Sequence, residues 1–237
     1  MPELIRPSTV LPAEREAFKI RTADGLTLIG EVATPLSRSR SHAILCLHPL
    51  PTHGGMMDSH IYKKAANRLP HMAGIEIIRF NTRGTESEQG KSEGAYDETK
   101  AERFDVEAAI AYCFDELKVK KLWVMGWSFG TELALKWAKD PRVLGLILLS
   151  PPMKYTTDAE LEFWAKDGRP ITALVPEFDE YLNPEQAKVL FSRVPNLKQI
   201  DVIGGKHLWV GEPQVYRVLT EIVKIVAPNR LPLPTEY

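Results

Sequence analysis

The chain has 237 residues, 44% of them apolar, and a formal net charge of -1. That is enough for one sizeable core or at most two small ones, and so balanced a charge gives no electrostatic reason to expect nucleic acid or an anionic membrane as partner. The opening "MPELIRPSTVLPAERE" lacks the apolar core of a signal peptide, no run approaches membrane-spanning length, and Cys46 and Cys113 sit in apolar surroundings without metal-ligand spacing. These features predict a soluble, cytoplasmic protein with buried free thiols and no metal or cofactor.

In chain order, "FKIRTADGLTLIGEVATP" has two extended runs around Asp24-Gly25, a hairpin signal. "SRSRSH" reads as a loop, and "AILCLHP" as a strand buried on both faces. After "LPTHGGMMDS", the segment "HIYKKAANRLPHM" has helical periodicity, and Pro70 is expected to end it. "GIEIIRFN" is the next strand, followed by a polar, glycine-spaced loop, "TRGTESEQGKSEGAYDE". That loop lacks the GxxxxGK[ST] spacing of a phosphate-binding loop. "TKAERFDVEAAIAYCFDEL" is a helix, "KLWVMGW" a strand, "SFGTELALKWAK" a helix and "VLGLILLSPP" a buried strand. "ITALVPE", "PEQAKVLFSRV" and "LKQIDVIG" give strand, helix, strand; "VYRVLTEIVKIV" closes as a helix before a proline-rich tail. This alternation predicts an α/β fold: one domain over residues 1–237 with a mostly parallel central sheet flanked by helices and an N-terminal antiparallel hairpin. Residues 153–170 form only a short cap-like insertion, too small for a lid domain.

Chemistry concentrates at Gly126-Trp127-Ser128-Phe129-Gly130, between a strand and a helix. A nucleophile elbow has this order: a sharp turn exposes the serine, and the glycines allow close backbone approach. A serine hydroxyl needs a base, and the base needs an orienting acid, both downstream and just beyond strands. His207, in "DVIGGKHLWVGEP", fits the base; the other five histidines all precede the serine. Asp179, in "ALVPEFDEYLNPEQA", is the best acid, with Glu177 and Glu180 as close rivals and Asp201 weaker because it falls within a strand. Donors for an oxyanion are expected from the N–H groups of Phe129 and Leu50, since Pro49 has none. His48 either braces this loop or is a satisfied histidine at the core edge. Met56, Met57, Trp127, Phe129, Phe163, Trp164 and Trp209 are candidates for an apolar pocket, Trp209 the best for its rim, with ordinary packing at least as strong an alternative for each.

With these residues in place, the chain resembles the α/β-hydrolase superfamily over nearly its full length. It is especially similar to small, largely lidless bacterial hydrolases with an HPxPxxGG oxyanion loop, here His48 to Gly55, and an RFNxRGxGxSxG loop, here Arg79 to Gly90. Thr85 and Glu86 replace the more usual small residues, and Gln89 adds one position. The resemblance implies the same Ser128, Asp179 and His207, the same two backbone donors, and an esterase-like or dienelactone-hydrolase-like activity. Dienelactone hydrolases place cysteine at the nucleophile; Ser128 here points to a serine hydrolase acting on a small ester, lactone or thioester. A non-catalytic binding protein on the same fold is the alternative.

Overall fold

The computed structural model describes residues 3–36 and 42–237; the loop expected over 37–42 therefore lies outside the described residues except for His42. The N-terminal hairpin forms from β1 (Glu14–Arg21) and β2 (Thr27–Thr34), with Gly25 in the left-handed region at φ 88° at its turn. The apolar runs become β3 (Ala43–Leu47) and β4 (Glu76–Phe80), and later β7 (Leu122–Trp127), β8 (Val143–Leu149), β9 (Ile171–Phe178) and β10 (Leu197–Lys206). Between β4 and β7, the expected loop contains a short antiparallel ribbon, β5 (Glu86–Ser87) and β6 (Gly90–Lys91).

The eight long strands form one sheet in the order β1-β2-β4-β3-β7-β8-β9-β10. Pairing is antiparallel from β1 through β2 to β4 and parallel from β4 to β10. Every residue of β3 and β4 is buried, as strands covered on both faces must be.

Helices α1 (His60–Ala73) and α6 (Glu212–Val226) pack Ile61, Leu69, Val218 and Ile222 into the core on one face. On the other face lie α2 (Glu102–Ala111), α3 (Phe129–Trp137), α4 (Asp158–Asp167) and α5 (Pro184–Phe191), contributing Val106, Leu133, Trp164 and Phe191. Among the described residues no helix is long and apolar enough to cross a membrane.

Two expectations need correction. Pro70 does not end α1, which continues to Ala73 and stops at Gly74, φ 66°. Proline at position 70 removes the N–H that would bond to the Ala66 carbonyl. That carbonyl instead accepts the Arg15 guanidinium from β1 at 3.0 Å, so it keeps a hydrogen-bond partner as the helix continues. The α2 segment also changes character: after Ala111 the chain takes a π-helical turn over Tyr112–Glu116. The proline-rich tail returns to the N-terminus, where Glu3 and Tyr237 exchange backbone hydrogen bonds at 3.0 Å.

The 153–170 segment divides its work. Its helix α4 packs against α3, with the Trp164 indole donating to the Leu135 carbonyl at 2.8 Å. Only the residues before it approach the carboxyl ends of the parallel strands, where ligand sites of open α/β sheets lie.

Candidate active site

Ser128 follows directly on β7 at φ 52° and ψ -120°, a left-handed conformation that is strained for a residue with a Cβ. Its surroundings over-determine it. The Ser128 N–H donates to Leu149 O at the end of β8 (2.9 Å), and the Thr131 N–H and hydroxyl donate to Ser128 O at 2.8 and 2.7 Å. The flanking glycines are sterically required. A Cβ on Gly126 would lie 2.3 Å from Gly130 O, and one on Gly130 would lie 1.8 Å from Leu47 O. The start of α3 therefore rests directly on the end of β3, beside the loop that carries Leu50.

A bulge supplies the other two residues. Pairing of β10 with β9 slips between Val202 and Lys206, with Gly204 at φ 69°, and resumes with Lys206 opposite Phe178. The next residue on each strand is His207 or Asp179, so the slip sets them side by side. His207 Nδ1 lies 2.9 Å from Asp179 Oδ2 and 3.1 Å from Oδ1, and His207 Nε2 lies 2.8 Å from Ser128 Oγ. A carboxylate only accepts, so the proton on the ring sits at Nδ1 and Nε2 is free to accept the serine proton. Asp179 Oδ1 also accepts the Tyr181 N–H at 2.9 Å, which fixes the carboxylate. Both Asp179 and His207 are buried. Among the described residues the rival carboxylates make no hydrogen bond to the His207 ring: Glu177 accepts the Gly204 N–H at 2.7 Å, Asp201 accepts the Gln199 amide at 2.6 Å, and Glu180 lines the cleft beside Ser128.

The loop after β3 makes a tight turn at Pro51–His53. Leu50 O accepts the N–H groups of His53 and Gly55, each at 3.0 Å, and Gly54 follows at φ 79°. Gly55 lies so close that a Cβ there would sit 2.1 Å from Pro49 O. Buried His48 braces the turn. Its Nε2 accepts the Thr82 N–H at 3.1 Å, which requires the neutral ring, and Nδ1–H then donates to Pro49 O at 2.7 Å. Burial pushes the His48 pKa down to about 4, against partial opposition from that carbonyl.

The Arg79–Arg83 segment holds the same loop from behind. Arg79 donates to Met57 O (3.1 Å) and pairs with Asp58 (2.8 Å) and Glu31; Asn81 Oδ1 accepts the Met57 N–H at 2.9 Å. Arg83 is clamped by buried Asp105 (2.7 Å) and by Asp24 (3.0 Å). These residues act through the loops they fix and do not line the cleft over Ser128.

That cleft has a volume of about 480 Å³ and brings together Leu50, Ser128, Phe129 and His207. Its remaining walls include Lys154, Tyr155, Tyr181 and Leu208, none of which the sequence reading proposed. The Tyr181 ring lies 4.6 Å from the His207 ring, and Tyr155 meets Phe129 edge-on at 6.2 Å. Buried Glu132 supports this wall by accepting the Lys154 N–H and the Thr156 hydroxyl.

Of the residues expected in the pocket, Phe129 lines the cleft, Phe163 and Trp164 pack with the core on the α4 side, and the other four lie elsewhere. Trp127 and Trp209 are buried in the core on the α1 and α6 face. Met57 is buried behind the loop, and Met56 lines a separate recess with Thr52 and Thr85. Strand parity was the available signal for Trp127: it shares its face with Trp123 and Met125, the side that α1 and α6 cover.

The sequence pattern of the alpha/beta hydrolase fold family matches residues 43–207. The structure is similar to that of an alpha-beta serine hydrolase homologue from Coxiella burnetii, at 26% identity over 90% of this chain and 97% of that one, with a TM-score of 0.75. At lower identity, where the likeness concerns the fold, it is similar to an a/b serine hydrolase without lid from Xanthomonas campestris (21%, covering 92% and 97%, TM-score 0.73). It is likewise similar to an esterase from Pyrococcus furiosus (18%, covering 94% and 98%, TM-score 0.72). No curated protein matches the sequence significantly.

Proposed function

Because the chain belongs to the alpha/beta hydrolase fold family, we propose that it is a serine hydrolase that cleaves a small carboxylic ester, lactone or thioester through a covalent acyl-enzyme. The observation that carries this reading is the unbroken line of contacts from Asp179 to the His207 Nδ1 and from Nε2 to Ser128 Oγ, 2.9 and 2.8 Å, beside a cleft.

In this mechanism Ser128 Oγ attacks the substrate carbonyl carbon as its proton passes to His207 Nε2. Asp179 holds the ring and stabilises the imidazolium. The oxyanion forms beside the Leu50 and Phe129 amides, neither of which donates to another backbone group among the described residues. Phe129 opens α3, so the helix dipole favours negative charge at the same point. Collapse of the intermediate breaks the bond to the leaving oxygen or sulfur, which takes the proton from Nε2. A water then gives its proton to Nε2 as it attacks the acyl carbon; the bond from that carbon to Ser128 Oγ breaks, Nε2 returns the proton to Oγ, and the acid leaves.

Ester-type substrates are favoured by the walls of the cleft, where Phe129, Tyr155, Tyr181 and Leu208 offer apolar surface for an acyl or alcohol group. The similarity to a Pyrococcus furiosus esterase agrees with this choice. The test is turnover of p-nitrophenyl esters of graded acyl length, lactones and thioesters by the wild type and by Ser128→Ala. The variant should lose about 10³-fold or more in kcat on the best substrate. Equal rates in the two proteins would overturn the assignment.

A further inference from the structure

The main-chain carbonyl of His207 accepts two buried hydrogen bonds, one from the Trp127 indole N–H and one from the Ser150 hydroxyl, both at 3.1 Å. A carbonyl oxygen has two lone pairs, so both donors are accommodated. Trp127 ends β7, and Ser150 follows directly on β8. Asp179, which grips the ring of the same histidine, follows directly on β9. Three adjacent strand ends thus hold His207, two by its backbone and one by its side chain.

Ser150 is unusual in a second respect. It is completely buried and sits at φ 48°, the left-handed region, where a residue with a Cβ is strained. β7 and β8 pair in parallel with Trp127 opposite Leu149, so Ser150 is the neighbour of Ser128, itself at φ 52°. The Ser150 N–H donates to Leu174 O at 3.0 Å, which holds the backbone in this conformation and points the hydroxyl at the histidine loop. Glycine would adopt the same backbone freely. Serine at this position carries a hydroxyl that glycine lacks, and that hydroxyl bonds to His207 O.

The loop is anchored on either side of His207: Glu177 accepts the Gly204 N–H at 2.7 Å, and the Trp209 side chain is buried in the core. The Trp209 N–H closes a turn onto Lys206 O at 3.0 Å, and His60 Nε2 donates to Leu208 O at 2.7 Å. Between these, the two bonds to His207 O, from Trp127 and Ser150, are the ones made to the backbone of the histidine itself. Proton transfer is steeply sensitive to the placement of the imidazole, with displacements near 1 Å costing about 100-fold in rate.

We propose that Ser150 is a positioning residue: its hydroxyl, with the Trp127 indole, fixes the His207 backbone so that Nε2 meets Ser128 Oγ. This rests on the serine-hydrolase reading above for its effect on turnover, but not for its effect on the geometry of His207.

Two variants test it, Ser150→Gly and Ser150→Ala. Both remove the hydroxyl and leave the Trp127 donor in place, and glycine also removes the backbone strain. Both should fold, with Ser150→Gly unfolding at a temperature close to that of the wild type. On the best ester, kcat should fall by about 10- to 100-fold in each while KM changes less than about twofold. The wild type should show a low-field proton resonance for His207 Nδ1–H, from its bond to Asp179, and that resonance should broaden or vanish in both variants. Wild-type kcat in Ser150→Gly, or a loss confined to KM, overturns the proposal. So does an unchanged Nδ1–H resonance in both variants. If the wild type and Ser128→Ala turn over esters equally, the hydrolase reading fails separately, and the resonance still decides whether Ser150 positions His207.

Discussion

His48 Nε2, at the end of β3, accepts the main-chain N–H of Thr82, beyond β4, at 3.1 Å. This bond ties the loop carrying Leu50 to the Arg79–Arg83 segment, and it exists only while the imidazole is neutral.

A pH dependence of stability follows. Burial lowers the His48 pKa to about 4 in the folded protein, whereas an unfolded histidine titrates near 6.5. Below about pH 6.5 the unfolded chain therefore binds a proton that the fold refuses. His48 contributes full stability above that pH, and the contribution falls as the pH drops towards 4, by about 3 kcal/mol in all. Urea unfolding between pH 7 and pH 4 should show this slope, and His48→Gln should flatten it. Part of the slope should survive, since burial also lowers the pKa of His60 and, with help from Lys121, that of His42.

Gly130→Ala should disrupt the fold itself. The added Cβ would meet Leu47 O at 1.8 Å, backbone against backbone, where no rotamer change relieves it. A loss of more than about 3 kcal/mol is expected from overpacking of this kind. Gly54→Ala is the contrast: no atom lies within 4 Å of its Cβ, so its cost is limited to the φ of 79°. Thermal unfolding of the two variants should rank them in that order.

Asp179→Asn should lower kcat by about 10³- to 10⁴-fold with the fold intact, because an amide no longer holds the required ring tautomer. Glu177→Gln should stay within about threefold of the wild type, and Glu180→Gln, at a residue that lines the cleft, should shift KM with kcat within about threefold, since neither carboxylate bonds to His207. Steady-state rates for the three proteins separate the candidate acids. A loss in Glu180→Gln as large as that in Asp179→Asn would reassign the role.

The thiols should be inert in the native protein. Cys46 and Cys113 are both buried, and burial pushes the Cys46 pKa up to about 12 and raises that of Cys113 as well. Titration with an aromatic disulfide reagent at pH 8 should find no reactive thiol in the folded chain and two after denaturation, the number in the sequence. Iodoacetamide should leave the rate on the best p-nitrophenyl ester unchanged.

The parts of this structure that were legible in the sequence are those governed by local patterning. β3 and β8 read as continuous apolar runs because helices cover them on both faces. Ser128, His207 and Asp179 were legible because each follows the end of a strand, a position set by chain order. Pro70 misled because its missing hydrogen bond is replaced by Arg15, 51 residues before the Ala66 carbonyl it serves. The cleft walls were not legible because Tyr155, Tyr181 and Leu208 come from three separate loops with no shared period. The conspicuous aromatics near the motifs, Trp127 and Trp209, fill the core instead. Ser150 gave no signal either, as its role depends on a backbone angle and on a partner 57 residues away.

The most direct test of the account is to trap the intermediate. The enzyme is mixed with excess p-nitrophenyl acetate, quenched in acid within the first turnover, digested and mapped by mass spectrometry. One acetyl group per chain on the peptide containing Ser128, absent from Ser128→Ala, is the predicted result. Turnover in which the acetyl group appears on another residue, or persists at the same level in Ser128→Ala, would contradict it.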